Sequence, residues 1–296
     1  MGDTKAEAKI EIITNIREIA DFIPDNDDVR VLVVFDMDDV LVRGQGSLGS
    51  DTWFRKCIDK GREGIQILRD MGTAYSLMEY QTVEPDTREV LEEVLKRDHV
   101  DYMIMTSRGS MYYSQTIKHL RDAGLGDLMI RPNMVDVRTA NDLLPKSVDP
   151  NDPPMYPRLT QARYIDNICL AAGNDKGEVM EEIIFRSKKQ YGRIVFIDDS
   201  ISNVNKVHNR FVAPLRKKVF DGISTYAIHY SFMEVEKRHY DDSALARDDQ
   251  KLRYLKNTRE YLNGRIVIDY PLTINVLFVI SVSWWLAFKF LGFISC

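Results

Sequence analysis

The stretch VLVVFDMDDVLV, residues 31–42, decides how this chain is read. Five apolar residues run up to Asp36, and apolar residues resume at Val40. A short apolar run without polar alternation reads as a strand buried on both faces, as inside a parallel sheet. Three carboxylates, Asp36, Asp38 and Asp39, then fall within four positions at its end. Crowding like charge beside a buried strand is costly unless a cation offsets it.

Two other stretches repeat the pattern. VDYMIMTSRG (100–109) is largely apolar up to Thr106, and GRIVFIDDS (192–200) up to Asp198 and Asp199. Helical patterns lie between them: about 51–70 with Asp51 as N-cap, a segment opening at Pro85 and Asp86, 111–123, and a helix opening near Lys176. Residues 74–83 and 223–232 read as further strands, and RYIDNICLAAG as a strand or hairpin. Residues 5–23 carry apolar spacings of three and four and read as an amphipathic helix. The proline-containing stretch 131–160 reads as irregular. Strands alternating with helices predict an α/β fold, a Rossmann-like, mainly parallel sheet flanked by helices. The expected plan is an N-terminal helix within 1–29 and a core over 30–242 with a small helical cap insertion at about 44–73. A charged helix and linker follow over 243–271, then an apolar tail over 272–296.

The bulk numbers suit a globular domain. Of 296 residues, 44% are hydrophobic and 29% charged, enough to bury a sizeable core. A net charge of −5 argues against nucleic acid as a partner. The three cysteines are widely spaced and form neither a disulfide framework nor a metal-ligand pattern; nor do the five histidines. No apolar signal-peptide region opens the N-terminus. The tail LTINVLFVISVSWWLAFKFLGFISC (272–296) has one charged side chain, Lys289, and exceeds the roughly 20 residues that cross a bilayer as a helix. With Arg253, Lys256, Arg259 and Arg265 just before it, it predicts a C-terminal transmembrane helix, a single-pass anchor with the catalytic domain on the cytoplasmic side.

Open parallel sheets bind ligands beyond the carboxyl ends of their strands. Asp36, Asp38, Thr106, Asp198 and Asp199 are therefore expected on one rim. Oxygen-only donors suit Mg²⁺. Asp36, nearest its strand end, is the candidate nucleophile toward phosphorus. Asp38, two residues on, is placed to act as acid and base. Thr106 offers a hydroxyl donor, and Lys176 a charge for the transferring group.

Taken together, Asp36-Met37-Asp38-Asp39-Val40-Leu41, Thr106, Lys176 and Asp198-Asp199 resemble, in order, the four motifs of the haloacid dehalogenase (HAD) superfamily. The resemblance covers about residues 30–210. It implies that Asp36 is the nucleophile and a Mg²⁺ ligand, and that Asp38 is the acid/base with its backbone carbonyl on the metal. It implies further that Thr106 and Lys176 hold the phosphoryl group and that Asp198 or Asp199 completes the metal site. An acid at the second position of the first motif is typical of phosphatase and phosphotransferase members; the dehalogenases lack it. Phosphorelay receiver domains use similar residues in a different order. Lys146 also lies between the second and fourth motifs, but Gly177, the following helix and the 22-residue spacing to Asp198 favour Lys176. Asp39 reads as a turn residue, Arg108 as either a substrate contact or a surface arginine, and Asn203 as an orienting partner of the metal acids. A weaker resemblance links the first motif, TSRG and Lys-Gly to uncharacterised chains of intracellular bacterial pathogens.

The function expected is a membrane-anchored, Mg²⁺-dependent phosphatase acting through an aspartyl-phosphate. A small cap leaves the rim open, which suits a phosphoprotein substrate. The alternatives are a catalytically inactive membrane-bound adaptor and a phosphotransferase with an acceptor other than water.

Overall fold

The computed structural model describes residues 8–25, 28–132, 134–136, 161–212 and 222–259. The expected transmembrane run 272–296, Lys146 and most of 131–160 lie outside them. Among the described residues, no helix is long and apolar enough to cross a membrane.

The fold is α/β. In chain order its elements are β1 (Ala8–Ile13), β2 (Val31–Phe35), β3 (Val42–Gly44), α1 (Asp51–Asp59), α2 (Gly64–Leu77), β4 (Tyr80–Thr82), α3 (Thr87–Leu95) and β5 (Val100–Thr106). Then come α4 (Tyr113–Asp122), α5 (Gly126–Met129), β6 (Arg163–Ile165), β7 (Ile168–Leu170), α6 (Lys176–Arg186), β8 (Arg193–Asp198), α7 (Ile201–Val212), β9 (Ser224–Tyr230) and α8 (Glu234–Arg238). A last helix, α9, covers residues 242–259.

Seven strands form one sheet in the order β1-β9-β8-β2-β5-β7-β6. Every neighbouring pair is parallel except β6 with β7. The central strand β2 explains its own composition. Val31, Val33 and Phe35 enter the core on one face of the sheet, Leu32 and Val34 that on the other. A strand sandwiched in this way has no solvated face, so apolar residues fill it without alternation. Neighbouring β8 and β5 are split likewise between the two cores, with Val195 and Ile104 on one face, Phe196 and Met103 on the other. β2 lies between β8 and β5, where the chain order reverses direction across the sheet, and residues just past its end therefore face a crevice.

Several local expectations are corrected. Residues 8–13 form an edge strand paired in parallel with β9, followed by a 3₁₀ turn over Ile16–Phe22, not one amphipathic helix. AKIEII alternates at period two as well as fitting a helix, and docking on β9 settles which period holds. Asn15 ends the strand by capping that turn, in a reciprocal box with Glu18. Residues 74–77 continue α2, so the strand expected at 74–83 shrinks to β4. The helix expected over 51–70 is two helices, broken near Gly61, whose φ of 72° suits glycine. Ser50, not Asp51, caps α1, accepting from the Trp53 N–H. β6 and β7 are a hairpin, turned by Asp166 and Asn167 at φ 48° and 69°.

Between β2 and β5 the chain inserts β3, α1, α2 and β4, with β3 and β4 paired as a separate antiparallel ribbon. The insertion thus spans more than the expected 44–73. α9 packs on it, burying Leu245, Leu252 and Leu255.

Candidate functional site

A cavity of about 560 Å³ opens between the carboxyl ends of the strands and the insertion. Asp36, Asp38, Asp39, Thr106, Arg108, Asp199 and Asn203 line it.

Asp36 continues β2 by one residue, its N–H donating to the Ile197 carbonyl at 2.8 Å. Its Oδ1 accepts from the Met37 N–H at 2.7 Å and pairs with Lys176 Nζ at 2.8 Å. The contacts that hold its carboxylate, from Met37 and Lys176, both fall on Oδ1. After Asp36 the chain turns sharply: Leu41 and Val42 both donate to the Met37 carbonyl, at 3.0 Å. Asp39 sits in that turn at φ 60°, a left-handed conformation aspartate tolerates better than most residues. This matches its reading as a turn residue, although its carboxylate also faces the cavity.

Lys176 departs from the role the motif implies. It is fully buried, beneath the carboxylates and not on the cavity wall, donating to Asp198 Oδ2 at 2.7 Å as well as meeting Asp36. It heads α6, whose first turn Asp175 caps through the N–H groups of Gly177 and Glu178. Gly177 is needed because a Cβ there would come within 2.8 Å of the Lys206 carbonyl on α7. Lys176 therefore orders Asp36 and Asp198 from behind. Asp198 is also held by the Ser200 N–H at 2.8 Å and by Asn203 Nδ2 at 3.1 and 3.2 Å. Asn203 thus orients an acid of the cluster.

Asp199 pairs with Lys237 on α8, and Lys237 reaches Asp39 at 3.5 Å. Lys237 was not anticipated. It stands 38 residues from Asp199, and only the docking of α8 against the rim brings it there.

One oxygen from each of Asp36, Asp198 and Asp199 lies within 4.8 Å of the other two. The Asp38 carboxylate does not join this group. Arg108 Nε and Nη2 hold it at 2.8 and 2.6 Å, a two-point pair. Arg108 is not a surface arginine: its guanidinium lies 4.2 Å from the Tyr75 ring centroid and 5.6 Å from that of Tyr80. Its Nη1 donates to His119 Nδ1 at 2.9 Å, and His119 Nε2–H donates to the Tyr75 carbonyl at 2.7 Å. Thr106 accepts from the Arg108 N–H at 3.2 Å, which leaves its hydroxyl hydrogen for a cavity ligand.

The electrostatics are under-compensated. Burial, and then Asp198 and Asp199, raise Asp36 well above the ordinary carboxylate range against the pull of Lys176. Burial raises Asp198 as well. Burial and Asp199 lift Asp39 to about 7, with Lys237 opposing. Four crowded carboxylates thus share two lysines. Three oxygens this close together, all hard donors and short of positive charge, could hold a metal cation.

Comparison with known proteins adds a family but no activity. A family model described as a protein of unknown function (DUF2608) matches residues 12–263. No curated protein matches the chain.

Proposed function

The chain belongs to the DUF2608 family, and from its site we propose that it is a Mg²⁺-dependent phosphomonoesterase of the HAD type. The observation that carries the reading is Asp36: a carboxylate fixed at a strand end, held through Oδ1, beside an acidic cluster built for a cation. Asp36, Asp198 and Asp199 would hold the ion, whose chemistry there is to offset the charge of the carboxylates and of the phosphoryl oxygens.

Asp36 Oδ2 forms the bond to phosphorus as the ester P–O bond breaks, giving an aspartyl-phosphate. The departing oxygen takes its proton from Asp38. Water then attacks phosphorus while passing a proton to Asp38, releasing phosphate and restoring Asp36. For these transfers Asp38 must give up at least one of its two bonds to Arg108. Thr106 donates to the phosphoryl group, and Lys176 keeps Asp36 aligned from below.

The insertion acts as a cap and sets the substrate. Phe54, Leu68 and Met71 from α1 and α2, with Met111 and Tyr112, give the cavity an apolar wall. Such a wall has few groups to pair sugar hydroxyls and suits an aromatic leaving group, as in phosphotyrosine. A phosphoprotein substrate fits both wall and open mouth. The run 272–296 completes the proposal as a membrane anchor, with the catalytic domain on the cytoplasmic side.

Hydrolysis of an aryl phosphate by the full chain tests this. Activity should require Mg²⁺, disappear with EDTA and fall at least about 1,000-fold in Asp36→Asn. Turnover that survives either change overturns the reading. Phosphate binding without turnover of any substrate supports an adaptor instead, and transfer to an alcohol in place of water a phosphotransferase.

A further inference from the structure

The charged side chains around the cavity are almost all spoken for. Asp36 pairs with Lys176, Asp38 with Arg108, Asp51 with Arg55, and Asp39 and Asp199 with Lys237. The exception is Lys206, which lines the cavity, is exposed, and has no ion-pair partner among the described residues. It stands on α7 three residues after Asn203, on the same helix face and about one turn further from the acids. Asn203 holds Asp198, so Lys206 sits at a fixed remove from the phosphoryl site. Lys206 is exposed and lines the open cavity, where an anion can reach it.

We propose that Lys206 forms a second-anion subsite, which selects phosphomonoesters bearing a further carboxylate near the phosphorylated side chain. In a phosphoprotein this is an acidic residue flanking the phosphorylated one. The inference rests on the phosphatase reading for its substrate, but not for the binding it describes. An exposed cation at the mouth also lessens the repulsion that a net charge of −5 exerts on an anionic substrate. It is a specificity determinant, remote from the reacting atoms.

The test uses the full chain and two phosphotyrosine peptides that differ only by Glu or Gln next to the phosphotyrosine. The Glu peptide should have the higher kcat/KM by about three- to fivefold at low salt, the scale of one partly exposed ion pair. The preference should shrink at high salt. Lys206→Ala should abolish it, and Lys206→Arg should retain it. The same pair carrying a non-hydrolysable phosphonate, followed by fluorescence anisotropy, reports binding without chemistry. Hydrolysis of both peptides at equal rates, or a preference that survives Lys206→Ala, overturns the subsite and leaves the phosphatase reading intact. No hydrolysis of either peptide or of the aryl phosphate, with a Lys206-dependent preference among the phosphonates, supports the subsite and overturns the phosphatase. If neither peptide nor the aryl phosphate is hydrolysed and neither phosphonate binds, both fall.

Discussion

At the rim, three strand ends deliver Asp36, Thr106 and Asp198 directly, and a fully buried lysine binds two of them from behind. The insertion above them is held differently. Lys56 and Lys60 pair with Asp242, Arg62 with Asp249, and Lys256 with Asp70, all between α1–α2 and α9. Arg259 adds a bond to Thr73 at 3.1 Å. The Lys176 pairs are removed from water; the insertion pairs each keep at least one partner in solvent, from Lys60 and Asp242 at 45% and 64% exposed to Arg62 and Asp249 at about 30%, and in the Lys256 pair only Asp70 is buried. Coulomb attraction is strong and geometry unforgiving in the first setting, weak and adjustable in the second. On the proposed reading the chemistry is built into the sheet, while the surface that would meet the substrate can be re-aimed by small changes.

The largest break in this contrast comes from Lys176→Met. It leaves Asp36 and Asp198 buried without their shared countercharge and should cost about 3–5 kcal/mol in urea unfolding. A cost below about 1 kcal/mol, the scale of a solvated pair, would remove the distinction between rim and insertion.

An intermediate effect lies where the two regions meet. His119 is neutral because burial and the Arg108 charge lower its pKa from the usual 6.5 to about 3. Below pH 6.5 the unfolded chain takes up a proton that the folded protein refuses, so stability falls as pH drops through the window from 6.5 to 3. Above pH 6.5 the effect is absent. By pH 5 the loss should reach about 2 kcal/mol. Chemical denaturation at pH 7 and pH 5 should show a smaller drop for His119→Gln than for the native chain; equal drops would mean that His119 titrates normally.

The smallest effect is expected in the insertion. Arg62 and Asp249, each about 30% exposed, should couple by only about 0.5–1 kcal/mol in a double-mutant cycle, vanishing in 1 M salt. Coupling as large as at Lys176 would make the insertion as rigidly anchored as the rim.

Much of the rim is legible in the sequence. Buried parallel strands are largely apolar, so the polar residue that ends each apolar run marks its carboxyl end, and Asp36, Thr106 and Asp198 follow from that rule, Asp101 near the start of β5 being the exception. Lys176 is legible as a residue, from its place before Gly177, but not as a contact. A lysine side chain can reach across the cavity or run beneath it, and only the packing of α6 against α7 decides. Arg108 is marked by its position two residues after Thr106, yet its burial depends on Tyr75 and Tyr80, which come from the insertion. Residues 74–77 mislead because a short, mostly apolar run at the end of a helix carries too few residues to set its period apart from that of a strand. The stretch 8–13 misleads because six residues fit either period.

By itself, then, the order of residues along the chain determined the α/β alternation, the rim and the acids on it, because these depend on local periodicity and on where a buried strand must end. Tertiary structure alone decided which charges neutralise which. It set Lys237 against Asp199 across 38 residues and Arg108 against Asp38 across 70. It also left Lys206 without an ion-pair partner among the described residues, because side-chain pairing depends on distances in space that no spacing along the chain encodes.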